Sequence, residues 1–490
     1  KLAVGLVILV VAFFTIQAAK RKSFLAQVNM PIVKGGLPYV GNVSSLINGS
    51  PWDVMTAWAM NYGGGYIFHM FGSDAIVISD PEMLKIVLNK KMSVFGKDLA
   101  WTYKPFLVIL GNGIVTAHGQ SWRRQRNLLT KVLRIDILDV VPGVALGAAK
   151  RFTLKLNEAV KSGNKMEMSE EFRHLTLQVI ADIVLSLSPE ESDNTFAHMY
   201  LPIVEEGNKR TWDPTRMFLP TPAWFNFRAA VARLDGYVKG LIRTRYSLRQ
   251  KEATSGKPVT RTQDILDIVM GAVTEEDWGE AAITQIADEM KTFILAGHET
   301  SASMLAWSLY ELTQNRELFN RVREEAISVF GPNVKDIDSI VMPDRDGLAK
   351  LVFSECCLRE GLRKYSVVPS VVRVSNEDVQ LDDDHFLPTG STVMVNIQGV
   401  HHNPKYWPDP MTYDPTRFLK PVTPYTFIPF VEGPRMCLGQ YLSLLESKVV
   451  LSLLVYFYDF ETLNADANEK HPFMVPIIPK TGHYMKISKA

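Results

Sequence analysis

Cysteine is scarce in this sequence: there are three in 490 residues, two of them adjacent (Cys356 and Cys357), and no Cys-x-x-Cys pair. That excludes a disulfide framework and the common thiolate zinc and iron–sulfur patterns, and it fits a reducing compartment. Net charge is nearly absent, with 53 Lys and Arg against 52 Asp and Glu, so no basic surplus points to nucleic acid as a partner. Internal repeats are missing, as are Gly/Ser-rich or single-charge linkers. The 31 glycines and 27 prolines are an ordinary share, which excludes collagen-like and linker-dominated architectures. Long apolar runs are absent after the first twenty residues. What remains is 47% hydrophobic and 10% aromatic, enough apolar surface for a large core and too much for a disordered chain.

Residues 2–19 read LAVGLVILVVAFFTIQAA without a charge, and Lys20, Arg21 and Lys22 follow. At about 1.5 Å per residue this stretch reaches about 27 Å, near the ~30 Å of a bilayer core, and the basic cluster marks the cytoplasmic side. A cleaved signal peptide would have a shorter apolar core and a small-x-small cleavage site. The reading is therefore an N-terminal transmembrane anchor over residues 1–22. A Pro/Gly-rich connector over 23–45 carries Pro31, Gly35, Gly36, Pro38 and Gly41. One catalytic domain over 46–490 comes next, with the polar segment 251–263 as a loop between helices. Helical periodicity dominates, as at 172–187 and 283–312, and alternating runs at 367–374 and 391–400 read as strands. The class is mainly α with small β-sheets. Tandem His401 and His402 read as loop residues rather than metal ligands, because neighbours on an extended chain point apart.

Near the C-terminus, Phe430-Val431-Glu432-Gly433-Pro434-Arg435-Met436-Cys437-Leu438-Gly439 precedes an apolar helix over 442–457. A cysteine between two glycines at a helix start has reasons to ionise: unpaired N–H groups, a positive dipole end and a nearby arginine. Gly433 and Gly439 let a flat ligand approach the backbone. Alone, such a cysteine is more often a buried structural thiol. The spacing F-x-x-G-x-R-x-C-x-G, however, resembles the haem-binding loop of the cytochrome P-450 family. Glu360-Gly361-Leu362-Arg363 resembles that family's E-x-x-R, and Pro415-Thr416-Arg417-Phe418 its P-x-R-F segment. Ala296-Gly297-His298-Glu299-Thr300-Ser301 is similar to its [AG]-G-x-[DE]-T-[TS], and Trp122 with Arg126 to its W-x-x-x-R. A zinc-protease reading of His298-Glu299 fails because Ala302 stands where a second histidine is needed. Gly111-x-Gly113 is not a dinucleotide fingerprint, since Thr116 takes the place of its third glycine.

The resemblance covers essentially the whole chain and implies the cytochrome P-450 fold behind one N-terminal transmembrane helix. It implies haem b with Cys437 as axial thiolate, held by Trp122, Arg126, Ala296, Gly297, Arg373, Phe430, Gly433, Arg435 and Gly439. Thr300 and Glu299 would deliver protons, Ala296 and Gly297 would leave room for dioxygen and substrate, and Glu360, Arg363 and Arg417 would form a structural ion cluster. It further implies a monooxygenase acting on a lipophilic small molecule (carotenoid, fatty acid, sterol or terpenoid) with dioxygen and electrons from a partner reductase or ferredoxin docked on the proximal face. The alternatives are a haem-thiolate isomerase or dehydratase, and a non-catalytic haem sensor or scaffold. The implied location is a single-pass anchor in the endoplasmic reticulum with a cytosolic catalytic domain, or else a plastid or other organelle membrane. The segment 292–302 is faintly similar to carotenoid-ring and fatty-acid hydroxylases. Apolar segments at 99–114, 216–227, 293–297, 368–372 and 476–481 are the expected pocket lining. Residues 217–225 are expected to form an apolar loop that dips into the leaflet of the anchor. Departures from the family pattern are Ser366-Val367 in place of Pro-Pro, Val431 and Glu432 in place of small residues, and Ser443 in place of Ala.

Overall fold

The computed structural model describes residues 2–133, 135–255 and 263–490, leaving a few side chains aside, chiefly those of residues 2–11, 13 and 14. Most of the polar loop expected over 251–263 lies outside the described residues, as do most of the apolar side chains of the expected anchor. Two compact units make up the chain: residues 1–98, 370–406 and 424–436, and residues 99–369, 407–423 and 437–490.

Numbering the helices of ten or more residues in chain order, the first unit holds α1 (Leu2–Val28) and α2 (Pro51–Tyr62). The second holds α3 (Gly119–Val132), α4 (Ile135–Ser162), α5 (Met168–Leu185), α6 (Ala197–Trp212) and α7 (Pro222–Ser255). It continues with α8 (Glu280–Gln314), α9 (Arg316–Phe330), α10 (Val352–Tyr365) and α11 (Gln440–Phe457). The strands are β1 (Gly65–Met70), β2 (Ser73–Ile78), β3 (Phe95–Gly96), β4 (Met166–Glu167) and β5 (Ser370–Ser375), then β6 (Val379–Gln380), β7 (Phe386–Leu387), β8 (Thr392–Asn396), β9 (Tyr458–Thr462) and β10 (Tyr484–Lys489).

In the first unit a five-stranded sheet runs β1-β2-β8-β5-β3. Phe71 and Gly72, both at positive φ, close the β1–β2 hairpin as a tight two-residue turn. Ile67, Ile76, Ile78, Val393 and Val395 bury one face against Leu84, Val87 and Leu88. The strand expected over 391–400 stops at Asn396. There the Asn396 side chain accepts the Gly399 N–H at 2.9 Å and caps a helical turn, Ile397–His401. His401 therefore ends a helical turn rather than lying on an extended loop; both histidines are buried, and His401 Nε2 accepts the Ile428 N–H at 2.9 Å. The run expected over 367–374 becomes β5 at Ser370–Ser375.

In the second unit α8 is buried along most of its length and packs closely on α5. Trp307 on α8 stacks on Tyr365 at 3.8 Å, and its indole N–H donates to the Ile477 carbonyl at 2.9 Å. Such an aromatic pair contributes about 1 kcal/mol beyond its buried area. α5 starts where the Glu167 carboxylate accepts the N–H groups of Ser169 and Glu170, a side-chain cap at the positive end of the helix. α11 is apolar enough by composition to cross a bilayer, but 72% of it is buried inside the protein, as a core helix is. The last strand, β10, pairs with β4 and β9. The segment 217–225 is a shorter break than the expected loop: a short helix, Pro214–Phe218, ends on Leu219, and α7 resumes at Pro222.

Candidate active site

Cys437 is the first residue of the second unit's last stretch and lies three positions before α11. Burial raises its thiol overall, and the Gly439 N–H, the Arg126 guanidinium on α3 and the Gln440 N–H oppose that shift only in part. The residue itself is exposed. Cys356 and Cys357 are buried, and burial raises both thiols, Cys357 strongly. A Cβ at Gly439 would meet nothing closer than Cys437 Sγ, at 3.9 Å. The protein's own packing does not require a glycine there, so the open backbone beside the sulfur suits a flat ligand. Gly433 differs: its φ is +77°, and a Cβ would collide with the Leu88 carbonyl, so glycine is required within the first unit.

On α8 the Thr300 hydroxyl donates to the Ala296 carbonyl at 2.6 Å, a back-bond to the preceding turn. Ala296 is exposed in the middle of an otherwise buried helix. A Cβ at Gly297 would stand 2.8 Å from Ile180. The room expected from both small residues therefore comes from Ala296, and Gly297 serves the packing of α8 on α5. Glu299 accepts from Arg173 Nη2 at 2.7 Å and Nε at 3.2 Å. Burial raises this carboxyl, but His298 and Arg173 outweigh that and leave it lowered, hence ionised. His298 is fully buried against Tyr200, and desolvation pushes its pKa down to about 4. Neither of its ring nitrogens has a hydrogen-bond partner.

Glu360 and Arg363 pair on one face of α10 at 2.7 and 2.8 Å, both fully buried. Arg417 Nε lies 3.5 Å from the same carboxylate, and the Asp414 N–H donates to it at 3.0 Å. The three residues expected as an ion cluster thus meet. Trp122 is buried and Arg126 is half-buried, one turn further along α3. Burial lowers the guanidinium's pKa, and Cys437 opposes the shift.

The remaining expected residues belong to the first unit. Arg373 on β5 is buried, and its guanidinium donates to the Val372 carbonyl at 2.9 Å. Phe430 and Arg435 are half-buried on the approach to Cys437. Glu432 beside them is raised by burial and accepts the Gly433 N–H. Lys97, which sequence reasoning missed, follows β3. Burial first, then the charges of Arg373 and Arg435, push its ammonium far down. Three basic side chains in one unit are a donor set for carboxylates. No motif spacing marks Lys97, because the two-residue strand that positions it has no periodic signature.

The sequence profile described as Cytochrome P450 matches residues 31–485. The chain belongs to the cytochrome P450 family. Human cytochrome P450 4F8 is 29% identical over 417 residues, covering 82% of this chain and 79% of the relative. Human cytochrome P450 4F3 is 30% identical over 391 residues, 77% and 74% of the two chains. The leukotriene-B4 omega-hydroxylase 3 of Mus musculus is 29% identical over 395 residues, again 77% and 74%. This P450 is thus an oxidoreductase of the monooxygenase class whose cofactor is haem iron with an axial cysteine thiolate. Such enzymes take electrons from a redox partner and use dioxygen on lipophilic substrates.

Proposed function

We propose that this P450 hydroxylates a long-chain lipophilic acid or related lipid, with Cys437 as the axial thiolate. The observation that carries the assignment is the contrast among the three cysteines. Of the three, Cys437 alone has backbone N–H groups, those of Gly439 and Gln440, bonded to its sulfur; the other two are buried thiols. A thiolate ligand makes the bound iron competent to cleave dioxygen. Within the first unit Arg373 and Arg435, with Lys97, would serve the haem carboxylates, and Phe430 and Gly433 the loop before the ligand; within the second unit Arg126 and Trp122 would serve the carboxylates, and Gly439 would leave the backbone open beside Cys437. Ala296 would form the helix face over it, with Gly297 letting α8 pack on α5 behind. Thr300 would hold a proton at its hydroxyl oxygen, while Glu299, ionised against Arg173, would keep a charge near that hydroxyl and exchange protons with water. Glu360, Arg363 and Arg417 would hold the core beneath.

The substrate class rests on the apolar segments expected to line the pocket and on the activity that names the mouse relative, a leukotriene-B4 omega-hydroxylase. For location, we read residues 1–22, the first part of α1, as a single-pass anchor in the endoplasmic reticulum membrane, with residues 46–490 as one catalytic domain on the cytosolic side fed by a reductase. The break after Phe218 supports a lipid contact: Phe218, Leu219 and Phe225 are 48%, 52% and 58% exposed. Burying such side chains at an interface gains about 1–3 kcal/mol each. The test is oxidation of a lipid panel, leukotriene B4 included, with reductase present or omitted. Reductase-dependent hydroxylation is expected; turnover of an oxygenated substrate without reductase would point instead to an isomerase or dehydratase.

A further inference from the structure

The Gly111-Asn112-Gly113 segment serves no role in the site above, yet it is bonded to both α3 and α8. A Cβ at Gly111, whose φ is +55°, would collide with the Asp288 carboxylate, and one at Gly113 with the Thr292 hydroxyl. Two glycines thus let this turn lie directly on α8. The Asn112 N–H donates to Asp288 Oδ2 at 2.8 Å, and its carbonyl accepts from Gln125 at 2.8 Å and Gln285 at 3.1 Å. Its side-chain amide donates to Ser121 and Gln285, each at 3.2 Å. Beside it the Ile114 N–H donates to Glu289 at 3.0 Å. Gln125 and Ser121 belong to α3, the helix of Trp122 and Arg126.

Asp288 has a second oxygen, and it points the other way. Oδ1 lies 3.0 Å from Lys291 Nζ, which is also 2.9 Å from Asp235 on α7. Asp235 in turn pairs with Lys239 at 2.8 Å. Lys291 is only 5% exposed. A buried ammonium held by two carboxylates is costly to strip of either partner, so the ladder resists opening one rung at a time.

We propose that Asp235, Lys291, Asp288 and Asn112 form a continuous polar ladder that fastens α7 to α3 across α8. These are positioning residues. They fix the helix that follows the apolar break at 219–221 relative to the helix that carries Trp122 and Arg126. In the proposed function, a displacement of α7 by an incoming apolar substrate would be felt at the cofactor's edge.

Hydrogen exchange of the full-length, haem-loaded chain tests the ladder without using activity, so it can fail while the Cys437 assignment stands. Asp235→Asn touches only the α7 end. It is expected to speed exchange in α7 around residue 235 and at the Asn112 and Ile114 amides by about fivefold or more, leaving α5 and α11 unchanged, and Asp235→Glu is expected to restore both. Lys291→Met should give the same pattern with a larger change. Faster exchange in α7 alone, or an even rise across α5 and α11, would overturn the proposal.

Discussion

Among the carboxylate–arginine pairs of the second unit, Glu360–Arg363 and Glu299–Arg173 differ in how far they are closed off. Glu360 and Arg363 are both fully buried, and the Asp414 N–H and Arg417 also face the Glu360 carboxylate. Glu299 is buried too, but its partner Arg173 is 23% exposed and shares itself with Glu170 at 2.8 Å. The first is a closed cluster whose breaking would strand an uncompensated charge. The second is open at its Arg173 end, and Glu299 directly precedes Thr300 in the chain. In the proposed function the same pairing chemistry serves a scaffold in one place and a site in the other, and exposure of one partner makes the difference.

That contrast can be broken in several ways. The largest expected effect is for Glu360→Ala, which leaves Arg363 buried without a counter-charge; a loss of about 3–5 kcal/mol in denaturant unfolding is expected. Next is His298, inside the open pair's neighbourhood. Its folded pKa of about 4 lies below its ordinary 6.5. Above 6.5 both folded and unfolded states carry it neutral; as pH falls below 6.5 the unfolded chain takes a proton that the folded one refuses. Stability should thus drop between pH 6.5 and 4 by up to about 3 kcal/mol from this group, and His298→Phe should flatten that limb by the same amount. Glu299→Gln keeps a polar acceptor for Arg173, which still has Glu170, so about 1–2 kcal/mol is expected. A loss as large as that of Glu360→Ala would erase the distinction. Smallest in stability is Thr300→Ala, at under about 1 kcal/mol, yet it should divert reducing equivalents to peroxide while haem content stays constant.

The motif residues were legible because their spacings encode faces and turns: Glu360 with Arg363, Trp122 with Arg126, and the loop that ends at Cys437. Long apolar helices such as α8 and α11 were legible for the same reason of period. Less legible was anything decided by a distant neighbour. Gly297 looks like open space in the sequence, but Ile180 fills it from another helix. Asn396 looks like a strand residue, but its side chain caps the next helical turn and carries His401 inside. Lys97 sits after a two-residue strand that no alternation reveals, and its chemistry appears only once Arg373 and Arg435 stand beside it. The Gly111-Asn112-Gly113 turn resembled a failed nucleotide motif because its reason, the carboxylates of α8, lies far along the chain.

The most direct test of the central claim is the carbon monoxide difference spectrum of the reduced protein and of three single variants. The account predicts the strongly red-shifted Soret band of a thiolate ligand in the wild type, in Cys356→Ser and in Cys357→Ser, and its loss in Cys437→Ser. A thiolate band that survives Cys437→Ser, or that disappears in either of the other two, would contradict it.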